Sequence, residues 1–261
     1  MNTDSHSAGN PGSGSWRALI WKAWRESRNR YFASLGFLLI LVGYMVLSGP
    51  QFLEGMAINH PDEPLNYSGY IWMILFDFYL QSFWIACAFI LGLGGMGRER
   101  ATGVATFTLS LPVTRNRLVL TRAAVATAEA LVIALVPCLL ISLCSAMNGY
   151  RYPLAQSFAF GFLLAVGGLV FVCLSLLLSS LFDGEYTAFV LGICAIAIVF
   201  FAFKARSIHR WSIFDVMSGA RHIDPSTHLL RSLPWVGLSI SLLISFLLLG
   251  TSIQIIRSRN F

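Results

Sequence analysis

The sequence predicts an all-α membrane protein, with six transmembrane helices preceded by an amphipathic interfacial helix. Three observations predict it. Of 261 residues, 56% are hydrophobic and only 11% charged, with a mean hydropathy of +0.71, whereas a soluble domain carries about 25% charged residues. The apolar residues fall in long runs, and six crossings of about 20 residues plus their connections take up the whole length. Lys and Arg gather in alternate connections, as the positive-inside rule requires.

Residues 1–14 are polar and rich in Ser, Gly and Asn, the composition of a disordered cytoplasmic tail. No cleavable signal peptide is expected, because the first apolar run begins only near Tyr31 and lacks a small-residue cleavage site behind it. Residues 15–30 read as an amphipathic helix lying on the membrane surface. At 100° per residue Trp16, Leu19, Ile20, Ala23, Trp24 and Ser27 share one face, while Arg17, Lys22, Arg25, Glu26, Arg28 and Asn29 take the other.

The membrane domain is expected over 31–259, with spans at about 31–48, 70–94, 123–146, 154–178, 186–203 and 234–256. All should be helices, since a lipid-exposed backbone must satisfy its own hydrogen bonds. The first is short and ends at Ser48-Gly49-Pro50; the third contains Pro137, where a kink is expected. With the N-terminus inside, twelve Lys and Arg lie on the cytoplasmic side and six outside. Both termini are therefore expected in the cytoplasm. The connection 204–232 resists this count, carrying five basic residues and three histidines. A short external helix near 211–221 would let it escape the bias.

The net charge of +6 would suggest nucleic acid in a soluble chain. Here the arginines flank apolar runs, so anionic lipid headgroups are the expected partners and nucleic acid is not. Cys87, Cys138, Cys144, Cys173 and Cys194 all lie in apolar runs without a CxxC pair. They read as reduced core residues, with no metal site or disulfide frame.

The polar island at 98–122 interrupts this pattern. Within it Val104, Phe107 and Leu111 recur at helical spacing, Gly103 permits close approach, and Pro112 stops the helix. A short helix with a small apolar face, flanked by charge and standing out of the membrane, is shaped to dock into a groove on another protein.

Glu99-Arg-Ala-Thr-Gly103, followed by Leu109-Ser-Leu-Pro112-Val-Thr-Arg115, resembles the permease subunits of ABC-2 type exporters. Trp24-Arg-Glu26 in an amphipathic helix is similar to the elbow helix of that family, and the resemblance extends over 16–259. Val104 departs from it, standing where the family often has Thr. The resemblance implies a permease without enzymatic activity, paired in a bacterial inner membrane with a second copy or a related permease. Each would engage a separate cytoplasmic ABC ATPase subunit that binds ATP and Mg, with no cofactor on this chain. Glu99, Gly103, Val104, Phe107, Leu111, Pro112 and Arg115 would then form the ATPase-coupling segment.

Asp77 and Glu129 lie inside apolar runs, which is costly and marks functional candidates. Asp77, with Gln81 one turn away, is a candidate for the substrate pathway; Glu129, two turns into the third span, could join it, or pair with Arg122 or a partner subunit. The competing reading for both is a structural hydrogen bond or a snorkelling side chain. As proton sites the same two carboxyls would instead suit an ion-coupled secondary transporter working without an ATPase. An intramembrane enzyme is disfavoured, because the spans contain no histidine and no gathered catalytic set. Gly92-Leu-Gly94-Gly95-Met-Gly97 satisfies G-x-G-x-x-G, but it follows a span rather than a strand and reads as a helix end or a packing site.

Overall fold

The computed structural model describes residues 11–59, 65–93, 115–182, 185–205 and 212–258. Its elements are α1 (Pro11–Asn59), α2 (Tyr67–Gly92), α3 (Arg115–Met147), α4 (Leu154–Leu181), α5 (Glu185–Ala205), the short α6 (Ile213–Ser218) and α7 (Trp235–Ser258). Among the described residues the only strand-like pairing is one bridge between Ile223 and Leu230. Five helices, α1 to α4 and α7, are long and apolar enough to cross a membrane. The segment read as the fifth span lies in α5, whose described apolar stretch is Thr187–Ile198. The whole of α5 is 21 residues long.

Residues 15–30 do not form a separate element. They are continuous with the first span in one helix of 49 residues, roughly 70 Å long and more than twice the hydrocarbon thickness. Residues 11–14, expected in the tail, belong to it as well. The face expected to lie on lipid is divided: Leu19 and Ala23 are buried, while Trp16 and Ile20 are exposed. The helix also runs through Ser48-Gly49-Pro50, where the sequence suggested a stop. Pro50 has no N–H for the carbonyl of Val46, but Asn148 Nδ2 donates to that oxygen at 2.8 Å. One residue back, the Tyr70 hydroxyl donates to the Met45 carbonyl at 2.7 Å. Partners from two other parts of the chain thus satisfy the backbone that proline disrupts.

α1 and α3 run parallel, matched from Ser27 against Glu129 to Val46 against Asn148. α4 packs against α3, α7, α2 and α6, and small residues set its distances. A Cβ on Gly161 would stand 2.5 Å from Cys138 Sγ, and one on Gly168 would stand 2.1 Å from the Trp84 ring. Close helix approach through glycine is the expected means of association in lipid, where apolar burial alone drives little. Gly92, the first glycine of the G-x-G-x-x-G string, belongs to this set: its missing Cβ would meet Ser175 of α4 at 1.7 Å. α5 joins through Gly192, packed on the Phe89 ring of α2. Four cysteines are buried and free; Cys194 is exposed, a departure from the core position expected for it.

Candidate functional site

The short helix α6 falls within 211–221, where an external helix was expected. It is packed against the spans rather than standing clear of them. Gln81 Nε2 donates to the Phe214 carbonyl at 2.9 Å and Trp72 Nε1 to the Ser218 carbonyl at 3.0 Å. Met217 is 2% exposed and lies on the flat surface of Gly167 and Gly168 in the middle of α4. Phe214 meets Phe171 at 5.8 Å between ring centroids. Gly219 ends α6 in the left-handed region at φ 67°, a conformation glycine adopts without penalty. The chain then turns back, and Gln156 of α4 holds it by a paired contact with Leu230, N–H to Oε1 at 3.0 Å and Nε2 to O at 3.2 Å.

Outside the spans, Asp224 Oδ1 accepts from the Ser226 backbone N–H at 3.0 Å and from its hydroxyl at 2.8 Å. These bonds, with Arg231 and His228 nearby, hold the Asp224 carboxyl below its usual range. A depressed carboxyl contributes to folding above its unfolded pKa, and the contribution is lost as pH falls through the folded value. Acidification below the ordinary Asp range should therefore loosen this turn. Faster exchange of the Ser226 amide, after correction for intrinsic rates, would report it.

Asp77 and Gln81 sit on one helix but have different surroundings. Gln81 is 4% exposed and is occupied in positioning α6. Asp77 is exposed on the chain, within a ten-residue π-helical stretch, Ile71–Leu80, beside Ser218 and Asp215. A carboxyl at span depth facing outward from one chain calls for water or a partner rather than lipid.

Glu129 has other neighbours. It is 3% exposed, lies in the α1–α3 seam, and accepts a hydrogen bond from the Ser27 hydroxyl. Its second oxygen, Oε2, has no hydrogen-bond partner among the described residues. Arg122, its expected partner, places Nη2 at 3.4 Å from Glu26 Oε2. Ser27 and Glu26 were read as parts of the amphipathic helix and not as partners of Glu129 and Arg122; only the alignment of α1 on α3 brings them to those residues. Glu129→Gln keeps an acceptor for Ser27 and removes the penalty of burying a charge. The variant should unfold within about 1 kcal/mol of the parent, and a thermal scan in detergent showing a loss of several kcal/mol would mean that a carboxylate holds the seam.

The charged end of the bundle is assembled from α1, α3 and α7. Arg117 lies 5.5 Å from the Trp16 ring centroid, Arg122 meets Glu26, and Arg257 Nε donates to Asn116 Oδ1 at 2.9 Å. Of the coupling residues, Glu99, Gly103, Val104, Phe107, Leu111 and Pro112 lie outside the described residues. Arg115 is the first residue of α3 and lies at this end. The protein-family models compared with the chain give no match, and no curated protein matches it.

Proposed function

We propose that this chain is the membrane-spanning permease subunit of an ATP-driven exporter of the ABC-2 type. It pairs with a second permease, a copy of itself or a related chain, and couples to a separate cytoplasmic ATPase that binds ATP and Mg. In this reading α5 is the sixth crossing, both termini are cytoplasmic, and the membrane is a bacterial inner membrane. The chain itself carries no enzymatic activity.

The observation that carries the reading is the docking-type segment Glu99–Arg115, with its apolar positions Val104, Phe107 and Leu111. It joins α2 to α3 at the end of the bundle where Arg117, Arg122 and Arg257 gather. Movement of a docked ATPase would pass directly into two spans, α2 and α3. α2 in turn holds α6 through Trp72 and Gln81, so displacement at the charged end would reach the α6 region and Asp77. Alternating exposure of a path between two such chains follows as a population shift driven by ATP binding.

Affinity purification of the tagged chain in mild detergent, with mass spectrometry of what accompanies it, tests the reading. A stoichiometric ATPase bearing a P-loop is the expected result. A chain that transports after reconstitution alone would reject it in favour of an ion-coupled secondary transporter. That second reading is favoured by one observation, the buried Glu129 carboxyl with an unpartnered oxygen.

A further inference from the structure

A recess lies among α3, α4 and α7 at the charged end, lined by Val119, Arg122, Leu176, Ser179, Ser252 and Ile256, with Ser180 beside them. Arg122 is 9% exposed and Ser252 1%. Ser245, Thr251 and Ser258 of the same helix turn their hydroxyls back on their own backbone carbonyls. Ser252 does not: its Oγ is buried and has no hydrogen-bond partner among the described residues. Ser180 donates to the Leu177 carbonyl at 2.6 Å, which leaves Ser252 and Ser179 as the hydroxyls that can donate into the recess.

The recess has about 20 Å³ open to a water-sized sphere. That is room for roughly one oxygen atom and not for a whole tetrahedral anion. Its walls are apolar at Val119, Leu176 and Ile256. A buried cation and a hydroxyl seeking an acceptor, with lipid-compatible walls, match the chemistry of a phosphate oxygen. The acidic neighbour on the α1 side, Glu26, approaches Arg122 through Nη2.

We propose that this recess is a phosphate-binding site in which one phosphate oxygen is seated between Arg122 and the Ser252 hydroxyl, with the remaining oxygens outside it. The phosphate belongs to the headgroup of an anionic phospholipid or to free inorganic phosphate. The site is independent of the exporter reading, since it needs no ATPase and no transported substrate.

Native mass spectrometry of the full chain in detergent tests it, with dioleoylphosphatidylglycerol, dioleoylglycerol and inorganic phosphate as separate probes. Phosphatidylglycerol should be retained and dioleoylglycerol, which lacks the phosphate, should not. Ser252→Ala should weaken retention about tenfold, the effect of one hydrogen bond to a charged acceptor, and Arg122→Gln by at least as much. Inorganic phosphate binding with the same dependence on Ser252, and displacing the lipid, would support the site with the free ion as its ligand. Retention unchanged in Ser252→Ala for both probes would overturn the proposal and leave the recess to water. Ser252→Ala decides the matter even where Arg122→Gln fails to fold, because it removes only an unpartnered hydroxyl.

Discussion

Gly168→Val is expected to destabilise the bundle by about 3 kcal/mol, the upper range for forcing added volume into a packed core. A Cβ at this position would stand 2.1 Å from Cζ3 and 2.5 Å from Cη2 of Trp84, with Met217 Cε at 3.1 Å. The indole cannot withdraw easily. It is 0% exposed, and its Nε1 donates to the Ala130 carbonyl at 3.2 Å, so moving it breaks a buried bond as well. The substitution therefore strains α2, α3 and α4 together and disturbs the surface on which Met217 of α6 rests. Gly250→Ala is the matched control, since nothing stands within 4 Å of its added Cβ. Its higher helix propensity should leave stability unchanged or raise it by up to about 1 kcal/mol. Thermal unfolding of both variants in one detergent checks the pair; equal midpoints would refute the packing described for Trp84.

Under the proposed exporter function, Phe107→Asp should abolish recovery of the ATPase with the tagged chain and, with it, ATP-dependent transport. The docking face inferred from the sequence is small, with Val104, Phe107 and Leu111 as its apolar positions, so the aromatic ring is its largest element. Large aromatic anchors dominate interfaces, and loss of one commonly costs 2 kcal/mol or more, about a thirtyfold loss of affinity. A carboxylate in the same groove adds desolvation without a partner, which takes the loss well beyond that figure. The variant should unfold at the parent temperature, which separates lost docking from lost folding. An ATPase that stays bound to the aspartate variant in unchanged amount would remove the coupling role of this segment.

The crossings were legible because hydropathy is local: a stretch that must satisfy its backbone in lipid has to be helical and apolar over about 20 residues. Residues 70–94, 123–146, 154–178 and 234–256 could be read this way, and they correspond to α2, α3, α4 and α7. The first helix runs on past the stop read at Ser48-Gly49-Pro50. The sequence displays Pro50 but not the distant donors, Asn148 and Tyr70, that make a helix through it tolerable. In the candidate pathway the chemistry of Asp77, Gln81 and Glu129 was visible and their separation was not. All three are polar residues in apolar runs, and only packing turns Gln81 toward Phe214, Asp77 outward and Glu129 toward Ser27.

By itself the sequence determined that this chain is helical and membrane-like, with its cations gathered in particular connections, because composition and period are properties of neighbouring residues. Tertiary structure decided what depends on residues far apart in the chain. It continued α1 past Pro50, seated α6 against Gly167 and Gly168, closed the α1–α3 seam over Glu129, and gathered Arg122, Ser179 and Ser252 around one recess. Each of these joins groups separated by tens of residues or more, and a hydrogen bond or a missing Cβ acts only at contact distance.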